Sequence, residues 1–225
     1  RAGAAHEPGP RPAIHCRGKP GANGQLGATQ VARAPNDGYT LFLASVSNAT
    51  NVAITPASAT DLAKELTPIV LVATVPSILV VHPSLGVANV QELIALAKAK
   101  PDQLFFGSVG VGSPPHLAGE LFKVMAGVKL VHVPYAGGSG QAATDLIAGR
   151  IDYMCDTIQA GAAQVNAQTV KGIALMAAKR ASVVAQLATS GEQGLAGVEA
   201  SVWNAFFLPK GTPAPIVRRL NGAIG

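Results

Sequence analysis

Residues 107–127 read G-S-V-G-V-G-S-P-P-H-L-A-G-E-L-F-K-V-M-A-G and join a glycine- and serine-rich loop directly to a helix start. Ser113 stands at the N-cap position, and Pro114 has the fixed φ angle favoured at the first helical residue. Apolar residues then recur at helical spacing until Gly127 ends the run. Such a loop leaves N–H groups at the positive end of the helix dipole, which favours an anion. The pattern also fits an ordinary, well-capped β-to-α connection, and the loop alone does not decide.

A second unit of the same kind follows along the chain. Residues 130–135 form an apolar segment that predicts a strand, and it runs into a loop that contains Gly138 and Ser139. A helix is predicted to start near Ser139 and to end at Gly149. This repetition of strand, loop and helix strengthens the anion-binding interpretation of both loops.

Further apolar segments predict strands at 39–44, 69–75, 78–82, 104–106, 151–156, 173–177 and 202–208. Pro76 separates 69–75 from 78–82, so these two segments are predicted as separate strands. Strands that alternate with helical patterns are typical of an α/β fold with a mainly parallel sheet and right-handed crossovers. The number of units is sufficient for two sheets.

Polar residues follow two of these strands at their carboxyl ends, where open α/β sheets hold ligands. Ser45 and Ser47 follow the strand at 39–44, and Asp156 ends the strand at 151–156. Ser47 fits equally well as a cap of the next segment, and Asp156 as a helix cap. Both interpretations stay open at this point.

The composition excludes several classes of protein. Hydrophobic residues make up 48% and charged residues 13% of the 225 residues, which argues against a disordered chain and a coiled coil. No window of 18 apolar residues predicts a membrane span. The net charge of +5 is scattered and aromatic residues are only 4%, so no nucleic-acid partner is expected. Cys16 and Cys155 lie in no metal-binding or redox spacing, and neither a metal nor a cofactor is predicted.

The sequence matches none of several catalytic motifs. Residues 137–141, G-G-S-G-Q, do not match the G-x-S-x-G nucleophile elbow, and neither H-E-x-x-H nor a phosphate-binding lysine loop occurs. Ser113 and His116 are spaced to meet on one helix face, but no acid is evident to orient the imidazole. An esterase built on Ser113 or Ser139 is the least favoured hypothesis, and no enzyme is predicted. The loops offer hydroxyl and backbone donors, which suit the binding of a small carboxylate.

Several motifs together carry a family resemblance. They are P-G-A-N-G (20–24), A-P-N-D-G-Y-T-L (34–41), S-P-P-H-L-A-G-E-L-F (113–122), H-V-P-Y-A-G (132–137) and P-K-G-T-P-A-P (209–215). Their succession resembles the Bug-type substrate-binding receptors of tripartite tricarboxylate transporters. The resemblance implies a type II periplasmic-binding-protein-like clamshell of two α/β domains. The domains would close around a small carboxylate or dicarboxylate and deliver it to membrane permease subunits.

The resemblance also implies a set of ligand-binding residues. The loops of the two domains would act as a pincer of hydroxyl and backbone N–H donors on the two ends of a dicarboxylate. Asp156 would repel a second carboxylate, but it could pair with an amine or accept a hydrogen bond from a hydroxyl. The implied residues are Ser45 and Ser47 in the first domain and Ser108, Gly112, Ser113, Gly138, Ser139 and Asp156 in the second.

The resemblance further implies a division of the chain. Residues 1–103 would form the first domain and 104–208 the second, with 209–225 returning to the first and hinges near 104–107 and 204–209. Family members begin with a strand, a ligand loop and a helix before P-G-A-N-G, so the first strand and the C-terminal helices are expected to be missing here. A monomeric, periplasmic receptor is expected, with its signal peptide absent from this chain. The alternative is a ligand-sensing domain of a transcriptional or signalling regulator.

Overall fold

The computed structural model describes residues 15–19, 24–57, 59–135 and 138–225. It has the mixed α/β composition that the sequence predicts. The elements in chain order are α1 Gln25–Ala32, β1 Phe42–Ser45, α2 Val46–Ile54, α3 Leu62–Glu65, β2 Leu66–Val81, α4 Val90–Ala99, β3 Phe105–Ser108, α5 Pro114–Ala126, β4 Val131–Pro134, α6 Ser139–Ile147, β5 Tyr153–Thr157, α7 Ile158–Asn166, β6 Lys171–Met176, β7 Ser201–Pro209 and α8 Ala214–Ile224.

The long strand β2 connects two groups of strands. Its residues 66–76 pair with β7, which also pairs with β1, and these strands form the first sheet group. Its residues 77–81 pair with β5 and β6, which together with β3 and β4 form the second sheet group. The expected break at Pro76 is wrong, because the two predicted strands are one. Pro76 is the last residue paired with β7, and a proline at the end of a ladder disrupts few hydrogen bonds.

The sheet is mostly antiparallel, which corrects the expectation of a mainly parallel sheet. Four of the six pairings between the described strands are antiparallel, and only β3–β4 and β3–β5 are parallel. The reason is β2, which runs opposite to all three of its neighbours. The periodicity of a strand does not reveal its direction, so a single crossing strand reverses most of the pairings.

Strand direction brings several loops to the point where the chain crosses between the groups. Strand β1 runs antiparallel to β7, with Ser45 opposite Asn204, so its carboxyl end faces the crossing. Strand β5 ends with Thr157 opposite Ser77, and β3 and β4 run parallel to it. The helices α2, α5, α6 and α7 follow β1, β3, β4 and β5 directly. Four helix N-termini therefore face the crossing from its two sides.

The chain passes between the sheet groups at 76–77 and again at 200–201, where the Ser77 N–H donates to the Ala200 carbonyl at 2.8 Å. Residues 104–107 instead lie in or next to β3, which is paired on both sides within the second group. A hinge at 104–107 is therefore wrong. Residues 204–209 lie within β7, paired with both β1 and β2. The division after residues 103 and 208 stays a prediction.

The two faces of the second sheet group each pack a hydrophobic core. Alternate residues of β2 divide between them, with Leu79 and Val81 on one side and Ile78 and Val80 on the other. The helices α4 and α5 cover the first face, and α6 and α7 the second. The first group has a smaller cluster, built around Ala44. None of the helices in the described part of the chain has the length and hydrophobicity needed to span a bilayer.

Candidate functional site

The three parallel strands of the second group bring the predicted site residues of that group to one edge. The Tyr135 N–H, just after β4, donates to the Ser108 carbonyl at the end of β3 at 2.8 Å. Strand β5 lies on the other side of β3 and ends at Thr157, directly after Asp156. The carboxyl ends of neighbouring parallel strands share one edge of a sheet. The loops that begin α5, α6 and α7 are therefore neighbours.

The first group faces this edge with the N-terminus of α2. Ser45 is the N-cap residue, and its N–H donates to the Asn48 side-chain oxygen at 2.9 Å. Ser47 lies half-buried in the first turn of the helix. The Thr50 hydroxyl lies 3.2 Å from the Ser47 carbonyl and 3.2 Å from the Gly112 carbonyl. This last contact joins α2 directly to the loop that precedes α5.

The two serine hydroxyls of the 108–113 loop are engaged inside the protein. Ser108 is completely buried, and its oxygen lies 2.6 Å from His132 Nε2 and accepts from the Gly110 N–H at 3.1 Å. The Ser113 hydroxyl donates to the Gly110 carbonyl at 2.6 Å and makes no capping bond to the helix. Ser113 thus occupies the predicted N-cap position without capping by its side chain. Both hydroxyls shape the loop, and their role as ligand donors stays a prediction.

The backbone of Gly112 is also fixed by contacts within the protein. It is buried with φ of 78°, in the left-handed region that glycine adopts easily. Its N–H donates to His116 Nδ1 at 3.1 Å. The expectation that this loop leaves its N–H groups free is therefore wrong for Gly112.

The loop before α6 is more open. Gly138 is the N-cap residue, with φ of 87°, and its N–H donates to the Tyr135 carbonyl at 3.3 Å. Ser139 is exposed at the first helical position. Residues 136 and 137, which belong to the second predicted glycine loop, lie outside the described residues. Ser139 is the second-group serine of the predicted site that solvent reaches.

Asp156 is buried at the end of β5. Its Oδ1 accepts from the Thr157 N–H at 2.7 Å. Burial raises the pKa of this carboxyl, and the Thr157 N–H opposes that rise. A carboxylate with a raised pKa accepts a hydrogen bond or an ammonium group more readily than it tolerates a second carboxylate.

The sequence did not single out Gln25, the first residue of α1. Only 7% of its surface is exposed, and neither its Nε2 nor its Oε1 has a hydrogen-bond partner. An unpaired buried amide costs about 1–3 kcal/mol. Gly24 precedes it with φ of 83°, and a Cβ there would stand 3.0 Å from Asn48 Nδ2. Gly24, at the N-cap of α1, therefore lies beside Asn48 in the first turn of α2.

Two of the cavities in the described part of the protein lie near strand ends of the second sheet group. One of about 260 Å³ is at the crossing, between Val46 of α2 and Pro114 of α5, and it is also lined by Ser77 and Glu199. The negative charge of Glu199 disfavours a carboxylate there. The other, of about 330 Å³, lies against α7 and β6 and is lined by Lys171. We favour the loops at the crossing over both cavities, because these loops carry the helix N-termini.

The geometry gives no support to hydrolysis. The Ser113 hydroxyl is bonded to a backbone carbonyl, so it does not form the predicted contact with His116. Ser108 and His132 are as close as a nucleophile and its base, but Ser108 is completely buried. Glu120 lies 3.9 Å from His116 Nε2, which is beyond hydrogen-bond distance. Within the described residues, no cluster of three or more metal-ligating side chains occurs.

Residues 12–225 match the model of the tripartite tricarboxylate transporter family receptor, TctC. The chain belongs to this receptor family. It is 36% identical over 205 residues to a UPF0065 protein in the tcbD-tcbE intergenic region of Pseudomonas sp. strain P51, a match that covers 91% of this chain and 61% of that protein. It is 32% identical to protein BugT of Bordetella pertussis over 203 residues, or 89% of this chain and 62% of BugT. The chain thus spans about three fifths of the length of these relatives.

Several solved structures share the fold. Rpa4515 of R. palustris, solved with adipate, superposes with a TM-score of 0.82 at 36% identity, covering 91% of this chain and 68% of that one. MatC from Rhodopseudomonas palustris, solved with malate, gives 0.79 at 33% identity, covering 91% and 69%. The periplasmic binding protein BugD gives 0.79 at 32% identity, covering 91% and 68%. The predicted Bug-type membership and the periplasmic-binding-protein-like α/β fold are confirmed.

Proposed function

We propose that this protein is an extracytoplasmic receptor that binds a small dicarboxylate at the crossing between its two sheet groups. The observation that carries the proposal is the opposition of helix N-termini: α2 faces the crossing from one side and α5, α6 and α7 from the other. Each N-terminus presents the positive end of a helix dipole, and α2, α6 and α7 also present N–H groups, whereas the first two residues of α5 are prolines and have none. Two opposed sets of this kind suit a ligand with a negative group at each end.

The ligand class is supported from two directions. Two related structures were solved with dicarboxylates, adipate in Rpa4515 and malate in MatC. In this chain, Asp156 places a carboxylate at the same edge, which favours a hydroxyl or amine on the ligand near it. We therefore propose a dicarboxylate that bears a hydroxyl or an amino group.

We propose different roles for the eight residues that the resemblance implied. Ser45 and Ser47 from α2, and Gly138 and Ser139 from α6, would contact the ligand, often through water. Asp156 would contact a polar substituent on it. The remaining three would shape the loop that leads into α5, and they are Ser108, Gly112 and Ser113.

The family also supports the wider proposal. We propose that the protein works in the periplasm, delivers its ligand to membrane permease subunits and catalyses no reaction, since the matched family consists of transporter receptors. This match favours a receptor over a regulator domain. We also propose domain boundaries at 76–77 and 200–201 instead of after 103 and 208, because α4 packs in the core of the second sheet group.

Calorimetric titration with malate, succinate and adipate tests the proposal, with butyrate as a monocarboxylate control. At least one dicarboxylate is expected to bind, and Ser47→Ala and Ser139→Ala are each expected to weaken it by about fivefold or more, the effect of one hydrogen bond. Ser182→Ala, at an exposed position of a distant turn, is the matched control. Failure of all three dicarboxylates to bind, or an equal effect of Ser182→Ala, would contradict the proposed site.

A further inference from the structure

Two histidines lie behind the 108–113 loop. His116 is in the first turn of α5 and His132 in the middle of β4, and their ring centroids are 4.2 Å apart. The Phe106 ring lies 4.9 Å from the His132 ring and 6.4 Å from the His116 ring. Only 17% of the His116 side chain is exposed. The pair therefore belongs to the support of the loop and not to its solvent-facing surface.

The bond between Gly112 and His116 determines the protonation state of the imidazole. A backbone N–H can only donate, so His116 Nδ1, which lies 3.1 Å from the Gly112 nitrogen, must accept. The ring is therefore neutral, with its proton on Nε2. A proton added to Nδ1 would place two donors against each other and break the bond to Gly112.

His132 holds the other end of the loop. Its Nε2 lies 2.6 Å from the Ser108 oxygen, which also accepts from the Gly110 N–H. This bond can form with either tautomer, because a serine hydroxyl both donates and accepts. His132 is therefore an anchor for Ser108 whichever nitrogen carries its proton.

Burial favours the neutral form of both rings, and the charges around the pair act in opposite directions. Burial lowers the pKa of His116; Glu120 opposes the fall and Lys123 adds to it. Burial also lowers the pKa of His132, and the neighbouring His116 lowers it further. Glu120 is itself paired with Lys123 at 2.9 Å, and from β5 the titratable Tyr153 faces the cluster through the Phe106 ring.

We propose that His116 and His132 are positioning residues for ligand binding: neutral His116 holds Gly112, His132 holds Ser108, and protonation of His116 releases the loop. The proposal rests on the proposed function and identifies what keeps its second-group loop in place. Release of Gly112 would also disturb the contact with the first sheet group, since the Gly112 carbonyl accepts a hydrogen bond from Thr50 in α2. The loop has two supports, and only the one at His116 is sensitive to a proton.

The sign of the pH effect follows from the lowered pKa. Above the ordinary histidine value of about 6.5 the ring is neutral in both the folded and the unfolded protein, and the loop is fully held. As the pH falls below that value, the unfolded or released form takes up the proton more readily. Ligand affinity and loop protection are therefore expected to fall together on the acid side.

Two substitutions at one position test the role of His116. In His116→Asn the side-chain oxygen stands close to the position of Nδ1 and can accept from Gly112, but it does not titrate. In His116→Leu no acceptor remains. Hydrogen exchange of the Gly112 amide is expected to be about fivefold faster in His116→Leu, the factor of one lost hydrogen bond, and to be slowed again in His116→Asn.

The same set of proteins gives a binding test. Titration with malate, succinate and adipate at about pH 7.5 and about pH 5.5 is expected to show weaker binding at the lower pH in the wild type. His116→Asn should lose the part of this dependence that comes from His116, keep the part that comes from protonation of the ligand's own carboxylates, and recover affinity that His116→Leu lacks. The amide of His132→Gln reaches the position of Nε2. This variant should therefore bind the dicarboxylate more tightly than His132→Leu.

The exchange and tautomer measurements need no ligand, so they separate this proposal from the proposed function. Nitrogen NMR of the wild type is expected to show an unprotonated Nδ1 on His116, and it remains decisive where a leucine variant does not fold. A protonated Nδ1, or Gly112 exchange that is equal in all three proteins, overturns the positioning role. If the predicted exchange effects are observed but no dicarboxylate binds, the proposed receptor function is refuted, and the support of the loop by the two histidines is not.

Discussion

Gly119 gives the sharpest stability prediction. It lies in the middle of α5 and faces Phe106 of β3, and a Cβ at this position would stand 2.3 Å from Cε2 and 2.6 Å from Cδ2 of the ring. Phe106 is completely buried and contacts the rings of His132 and Tyr153. The ring must therefore shift by about 1 Å against a packed environment if Gly119 becomes alanine.

Two effects of opposite sign decide the magnitude. Alanine improves helix propensity over glycine by about 1 kcal/mol, while overpacking of a filled core costs about 1–3 kcal/mol. Gly119→Ala is therefore expected to lower the free energy of unfolding by roughly 0–2 kcal/mol. Gly222→Ala is the matched control, because Gly222 lies in α8 with nothing within 4 Å of the added Cβ.

Urea unfolding, followed by circular dichroism, measures both variants. Gly222→Ala should gain about 1 kcal/mol from propensity alone, so the two variants should differ by about 1–3 kcal/mol. An equal gain in both would show that α5 does not approach β3 as closely as the structure has it. The support of the ligand loop by Phe106 and its neighbours would then need revision.

Three further predictions concern single polar groups. Gln25→Met removes the unpaired buried amide and should raise the free energy of unfolding by about 1–3 kcal/mol. The control Gln30→Met, at an exposed position, should change it by less than about 0.5 kcal/mol. Equal effects of the two substitutions would contradict the view that the Gln25 amide is buried without a partner. Asp156→Asn should raise the melting temperature near neutral pH, because the raised pKa of this carboxyl means that the folded state disfavours its charge. The gain should vanish in acid, where the wild-type carboxyl is protonated. A gain that does not depend on pH would contradict this explanation. Thr50→Val removes the hydroxyl that contacts Gly112 and should weaken dicarboxylate binding by about fivefold in calorimetry, and unchanged affinity would make the contact incidental.

Local sequence signals predicted α5 and α6 correctly. At the start of α4, Asn89 and Glu92 have the spacing of a capping box, and the Asn89 side chain accepts from the Glu92 N–H at 2.9 Å. Pro114 and Gly127 bracket α5 as predicted. Caps and prolines act within one or two turns, so their physics is contained in a short stretch of sequence.

The errors in the fold arose where partners are distant along the chain. The sequence around Pro76 reads as a break, and only the pairing with β7 on one side and with β5 and β6 on the other shows why the strand continues. The direction of each strand, and hence the mostly antiparallel sheet, depends on those partners. Hydrophobic periodicity reports which face is buried and is silent about direction.

The loops of the proposed site were predicted in position, but the contacts within them were not. The glycine- and serine-rich loops do meet at one sheet edge, as the repeated strand, loop and helix unit indicated. The sequence did not show that Ser108 would be occupied by His132, 24 residues away on the neighbouring strand, because that contact depends on the register of β3 and β4. Gln25 was missed because an unpaired buried amide becomes visible only once its surroundings are known.

A crystal structure of the protein with its tightest-binding dicarboxylate would show directly where the ligand lies. One carboxylate is expected at the N-terminus of α2, within hydrogen-bond distance of the 45–47 segment, and the other at the N-termini of α5 and α6, near Ser139. A dicarboxylate bound instead in the cavity beside Lys171, or away from the crossing altogether, would contradict the proposed site.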